Sequence, residues 1–153
     1  MTWILKSFSE LTLDELYDII ALRNEVFICE QQCIYQDIDG LDKQTWHLFA
    51  KSENSQQIIA YTRLLPQDVT FSQASIGRVI VAKDYRGSGL AHELMTKAIS
   101  MTLELFNTNT IKIMAQEYLV SFYQSHGFAI TSESYLEDNI PHIDMLLTQY
   151  NEG

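Results

Sequence analysis

Residues 76 to 91, Ile-Gly-Arg-Val-Ile-Val-Ala-Lys-Asp-Tyr-Arg-Gly-Ser-Gly-Leu-Ala, place a buried strand, a glycine turn and a helix start end to end. A strand that feeds a helix through a glycine turn builds an anion site. The first N–H groups of the helix have no helical acceptor, and the helix dipole favours negative charge at that end. Gly87 and Gly89 can take positive φ, which lets several N–H groups converge, and the Arg86 guanidinium can add a bidentate contact to phosphate. Two familiar phosphate loops do not fit. A Walker A loop ends in Gly-Lys-Ser/Thr, whereas Gly89 is followed by Leu90 and Ala91. A dinucleotide fingerprint wants an acidic residue at the end of the following strand, where Gln116 stands.

The 153 residues fit one domain, 1–153, large enough to bury its own core. With 20 acidic and 10 basic residues the net charge is −10, which disfavours nucleic acid and anionic membranes as partners and suits a cationic one. Lys6, Ser7, Ser9 and Glu10 interrupt the first apolar run, and no stretch has the length of a membrane span, so a cytoplasmic location is expected. Cys29 and Cys33 are too few for a disulfide framework. The four histidines fall in no Cys/His ligand spacing, so no metal is expected and the thiols read as buried.

Strands are expected over 3–8, 46–51, 58–65, 76–81 and 110–115, with two more around the turn Glu137-Asp138-Asn139. Thr12-Leu13-Asp14-Glu15 has the form of a capping box, opening a helix whose apolar stripe reads Leu13, Leu16, Ile20, Phe27. A second helix carries Leu90, Leu94, Ala98 and Leu105, and a short third one ends at Gly127. Between them lies an acidic loop from Tyr35 to Lys43. In the last strand Ile143, Met145 and Leu147 share one face, leaving His142 and Asp144 on the other. If the crossover through the second helix is right-handed, the strands on either side of it run parallel. The fold class is α/β (α+β): a mixed, mostly antiparallel sheet of about seven strands with a parallel pair in its middle.

Arg86-Gly87-Ser88-Gly89-Leu90-Ala91, followed downstream by Phe122-Tyr123-Gln124-Ser125-His126-Gly127-Phe128, resembles the GNAT superfamily of acyl-CoA-dependent N-acetyltransferases. The first block looks like its Arg/Gln-x-x-Gly-x-Gly/Ala loop and the second like its Phe-Tyr-x-x-x-Gly-Phe segment. Arg23-Asn24-Glu25-Val26-Phe27 with Glu30-Gln31, Tyr35 and Asp39-Gly40, and Pro141-His142-Ile143 near the end, are similar to the ElaA-like branch. The resemblance implies acetyl-CoA as cosubstrate. Its pantetheine arm would pair with the backbone of Val79, Ile80 and Val81 where the parallel strands splay, its pyrophosphate would sit on residues 86 to 91, and Gln116 would lie near it. Gly77 marks either the bend of that strand or a simple bulge.

Direct acetyl transfer to a primary amine, in a small molecule or a peptide, follows from the same resemblance. It makes Tyr123 the general acid for the departing thiolate. A base for the ammonium is sought among Glu25, Glu30, Asp39, Asp42, His47 and His142. Glu30 is one candidate base, with Glu30, Asp39 and His142 lining the acceptor site. A non-catalytic acyl-CoA-binding module and a nucleotide-binding protein remain open alternatives, and exposed strand edges leave room for a homodimer.

Overall fold

The computed structural model describes residues 1–150. Strands β1 (Thr2–Ser7), β2 (Trp46–Lys51), β3 (Ile58–Leu65) and β4 (Ser75–Val81) form an antiparallel meander in that order. Helix α1 (Leu13–Arg23) lies between β1 and β2 in sequence and runs into a π-helical segment, Asn24–Glu30. After β4 come α2 (Leu90–Leu105), β5 (Thr110–Gln116) and the short α3 (Val120–Gln124). The chain closes with β6 (Ala129–Ile130), β7 (Tyr135–Glu137) and β8 (Ile140–Thr148), all paired around β8, which also pairs antiparallel with β5. Among the described residues eight strands in two sheets agree closely with the about seven expected. The two-residue β6 is too short to leave a periodic signature.

Alternation along the central strands divides the core. Leu48, Ala50, Ala60 and Leu64 pack with Leu90, Leu94, Met95 and Ala98 of α2, while Phe49 and Tyr61 pack with Ile19, Leu22, Val26 and Phe27. The meander is therefore covered on both faces, and β3 is buried over its full length. Ile143, Met145 and Leu147 point into the core, with His142 and Asp144 half-buried on the other face, as the alternation predicts.

The capping box of α1 forms: Glu15 N donates to Thr12 Oγ1 at 3.0 Å and Thr12 N to Glu15 Oε1 at 2.9 Å. Of its expected stripe only Phe27 is buried. Leu13 is 86% exposed and Ile20 lies at the surface, whereas Glu15, Ile19, Leu22 and Arg23 face inward. The helix turns Glu15 and Arg23 in because each has a partner there: Glu15 meets Lys6 at 2.8 Å and Lys51 at 3.5 Å, and Arg23 meets Asp37 and Asp42. The thiols also differ from expectation. Cys29 is exposed and Cys33 half-buried, because the π-helical turn and the kink at Gln32 (φ +50°) carry both away from the core.

Candidate active site

The parallel pair touches at one end only. Ala74 bridges Ile111, with Lys112 N donating to Ala74 O at 2.9 Å, and beyond that point β4 and β5 share no register. On its other side β4 stays paired with β3 through Tyr61↔Ile80 and Ala60↔Val81. The backbone edge of Val79, Ile80 and Val81 turned away from β3 therefore borders an opening seam. The bend lies at Arg78 rather than Gly77. The β3–β4 register slips between Tyr61 and Arg63, Arg78 takes φ +55°, and Thr62 Oγ1 donates to Gly77 O at 2.8 Å.

The glycine turn closes one end of the seam. Gly87 and Gly89 have φ of +82° and +84°, and a Cβ added at either would meet nothing within 4 Å. Backbone sign, not crowding, is what demands glycine there. Among the described residues the N–H groups of residues 87 to 91 find no acceptor within the chain, and Ser88 Oγ is turned back onto Tyr85 O at 3.0 Å. Leu90 and Ala91 open α2, so these donors converge at its positive end.

The seam borders one cleft of about 750 Å³, within the range of small-ligand pockets, which Arg86 and Ala91 at the two ends of the turn reach while Gly87, Ser88, Gly89 and Leu90 lie outside its lining. Val79, Ile80, Val81, Arg86, Ala91, Gln116, Tyr123, Glu30, Asp39 and His142 all line it, which brings together residues from both ends of the chain. Tyr123 sits on α3 with its ring edge-on to Phe122 and Phe128, 5.2 and 6.0 Å between centroids. It is 7% exposed, and among the described residues its hydroxyl has no hydrogen-bond partner. Burial, with a smaller contribution from Tyr118, pushes the phenol pKa well above its usual value and keeps the proton on the oxygen.

The polar wall of the cleft was largely hidden from sequence reasoning. Arg23, 1% exposed, lies 3.0 Å from Asp37 Oδ2 and 2.6 Å from Asp42 Oδ1. Arg63 joins Asp42 at 3.0 Å and Asp39 at 2.9 Å, and Arg78 reaches Asp39 at 3.4 Å. Arg78 Nε stands 2.8 Å from Asp37 Oδ1 but out of line for a hydrogen bond. The acidic loop is thus the counter-charge of three arginines, and burial of Asp39 is outweighed by the Arg63 and Arg78 charges, which hold its carboxyl well below the usual range. The three arginines lie 55 residues apart at their extremes, so only the run of aspartates hinted at this network.

Glu30 ends the π-helical segment and forms an ion pair with Arg86, Oε2 to Nη1 2.9 Å, while Arg86 Nε donates to Val81 O at 2.9 Å. His142 faces Gln116 across the β5–β8 ladder and stacks on Tyr135 at 25°. Its Nδ1 lies 2.7 Å from Ile140 O. A carbonyl can only accept, so Nδ1 carries a proton, and in the neutral ring the lone pair is on Nε2. Among the described residues no group of three or more His, Cys, Asp or Glu side chains could hold a metal ion. No described helix is long and apolar enough to cross a membrane.

Comparison with known proteins agrees with this geometry. Residues 8–149 match the acetyltransferase (GNAT) domain. ElaA of Escherichia coli is 39% identical over 137 residues, 90% of each chain, and its crystal structure superposes with a TM-score of 0.88 at 36% identity over 95% of this chain and 98% of ElaA. An acyl-CoA N-acyltransferase from Pseudomonas aeruginosa superposes with a TM-score of 0.90 at 40% identity, covering 97% of this chain and all of the other. A GNAT family acetyltransferase from Elizabethkingia anophelis with acetyl-CoA bound shares the fold at 17% identity, with a TM-score of 0.68 over 97% of both chains. With a splayed parallel pair, a donor-lined glycine turn and a whole-length match in both sequence and structure, the chain belongs to the GNAT family of acyltransferases.

Proposed function

We propose that this chain transfers an acetyl group from acetyl-CoA directly to a primary amine, with both substrates bound in the cleft and no covalent enzyme intermediate. The observation that carries this reading is the Tyr123 hydroxyl, which ends a buried ring at the cleft wall and has no hydrogen-bond partner among the described residues. A hydroxyl that reaches a cleft with no partner in the chain is free to bond a ligand there.

In this reading the seam-facing backbone edge of Val79, Ile80 and Val81, where Val81 O already accepts from Arg86 Nε, takes the amides of pantetheine as an added strand would. Gly87, Ser88, Gly89, Leu90 and Ala91 receive the pyrophosphate on their N–H groups, Arg86 adds its charge, and Gln116 lies alongside at the end of β5. Acetyl-CoA in the Elizabethkingia anophelis protein of the same fold supports the choice of cosubstrate. No metal is required.

The amine attacks the thioester carbonyl, and the C–S bond breaks as the new C–N bond forms. Tyr123 gives its proton to the departing sulfur, and the proton that the newly acylated nitrogen sheds restores the phenol. An alkyl amine with pKa about 10.4 enters as ammonium, and freeing its lone pair near pH 7 costs about 4.5 kcal/mol, so a proton acceptor helps. His142 takes that role in place of Glu30, because its Nε2 lone pair is already defined whereas Glu30 is engaged with Arg86. Asp39 borders the acceptor end but is held by arginines, which makes it a wall of fixed charge rather than a base. The net charge of −10 suits a cationic acceptor, free or on a peptide, and a cytoplasmic location fits the supply of acyl-CoA.

Release of CoA thiol from acetyl-CoA across a panel of amines tests the reading, together with thermal stabilisation by acetyl-CoA, ATP and NAD. Amine-dependent thiol release, with stabilisation by acetyl-CoA alone, is the expected result. Stabilisation by acetyl-CoA without turnover on any amine would favour a binding module, and stabilisation by a nucleotide alone would defeat the proposal.

A further inference from the structure

The Arg86 guanidinium is shared between the two ends of the cleft. One edge donates to Val81 O, at the seam where the cofactor is proposed to lie, and Nη1 is paired with Glu30, which ends the π-helical segment of the opposite wall. The same cation is the only charged side chain within the turn Arg86 to Ala91. Glu30 and the pyrophosphate are then rival anions for one guanidinium. Its side chains are 43% and 28% exposed, and an ion pair so open to water biases an equilibrium by about five-fold at most. The arriving pyrophosphate, with more than one negative charge and the N–H groups of the turn behind it, outcompetes such a pair.

We propose that Glu30 is a positioning residue that couples the two substrates. It holds Arg86 across the cleft until the cofactor pyrophosphate draws the guanidinium away, and the carboxylate so released attracts the acceptor ammonium. The inference rests on the acyl-CoA reading above and adds to it an order in which the charges are exchanged. Glu30 neither takes nor gives a proton in this scheme. Its charge raises the local concentration of the cationic acceptor once the cofactor is seated.

Glu30→Gln keeps the shape and removes the charge, so two effects of opposite sign are expected. Titration calorimetry with CoA should show binding about two- to five-fold tighter in the variant, since Arg86 is no longer held back. Steady-state kinetics with acetyl-CoA should show the KM for the amine raised about three- to ten-fold with kcat much less affected, the mark of lost uniform binding. The decisive comparison replaces acetyl-CoA by S-acetylpantetheine, which lacks the pyrophosphate and leaves Glu30 on Arg86. With that donor the variant and the natural protein should have the same amine KM within about two-fold. A residue that merely shapes the acceptor wall would raise KM with both donors, and that result would overturn the proposal. CoA binding unchanged or weakened in Glu30→Gln would overturn it as well, while leaving the acyl-CoA reading intact. A natural chain that takes up no CoA in the calorimeter would overturn that reading itself and this inference with it.

Discussion

The Tyr61 hydroxyl donates to Nδ1 of His47 at 2.7 Å, deep in the core between β2 and β3. Nε2 of the same ring donates to Asp42 O at 3.0 Å, so Nε2 carries a proton and Nδ1 is the acceptor in the neutral ring. Burial, with the neighbouring Arg23 and Arg63 charges, pushes its pKa below the ordinary value despite the opposing pull of Asp42. Unfolded, the ring takes a proton as pH drops below about 6.5; folded, it does so only at lower pH. Stability should therefore decline as pH falls from about 6.5 towards the depressed folded value, and urea melts between pH 8 and 5 check this. His47→Gln should flatten that window. Acid loss from the arginine-bound Asp39 and Asp42, whose carboxyls sit below their usual range, belongs to a separate window below about pH 4.

Arg23→Met should cost about 3–5 kcal/mol in urea unfolding. The substitution preserves bulk but leaves Asp37 and Asp42, both buried, short of a counter-charge. Glu30→Gln, at an exposed pair, should change stability by less than about 1 kcal/mol in the same measurement.

Tyr123→Phe removes one atom from a packed site and keeps the ring contacts with Phe122 and Phe128. Under the proposed mechanism kcat should fall about 100-fold or more while the Kd for CoA stays within about two-fold, measured by thiol release and calorimetry. Unchanged turnover would take the acid role away from this residue.

Gly89→Ala should destabilise the fold by about 1–2 kcal/mol through backbone sign alone, since a methyl group there meets no neighbour. If residues 87 to 91 receive the pyrophosphate, CoA affinity should fall further than stability accounts for. Comparison with Gly40→Ala, also at positive φ with open space but outside the turn, separates the two effects.

Periodic elements were legible from sequence because local chemistry fixes them. The Thr12 capping box, the alternation at Ile143, Met145 and Leu147, and the positive φ of Gly87, Gly89 and Gly127 depend on residues close in the chain. The inward face of α1 was misread because hydrophobicity is a proxy for burial only when charges lack partners, and Arg23 has two, 14 and 19 residues away. The π-helical turn at Asn24–Glu30 carries no periodic mark, yet it sets where Glu30 stands relative to Arg86. Of the cleft, the turn and Tyr123 could be named from their motifs. The His142 tautomer and the arginine wall needed three-dimensional contacts.

The single bridge between Ala74 and Ile111 also bears on how the molecule assembles. The strands β1 to β4 pair with their successors in the chain, and β7 pairs with β8 across a two-residue turn, so much of each sheet closes from contacts near in sequence. Joining the sheets requires α2 to span the gap and brings only that narrow hydrogen-bonded contact between them, so docking at the seam gains little from backbone pairing and should fall late in folding. The cleft has walls from both sheets. Neither half of the chain, expressed alone, should bind CoA, and activity should return in refolding only after the secondary structure of both halves has formed.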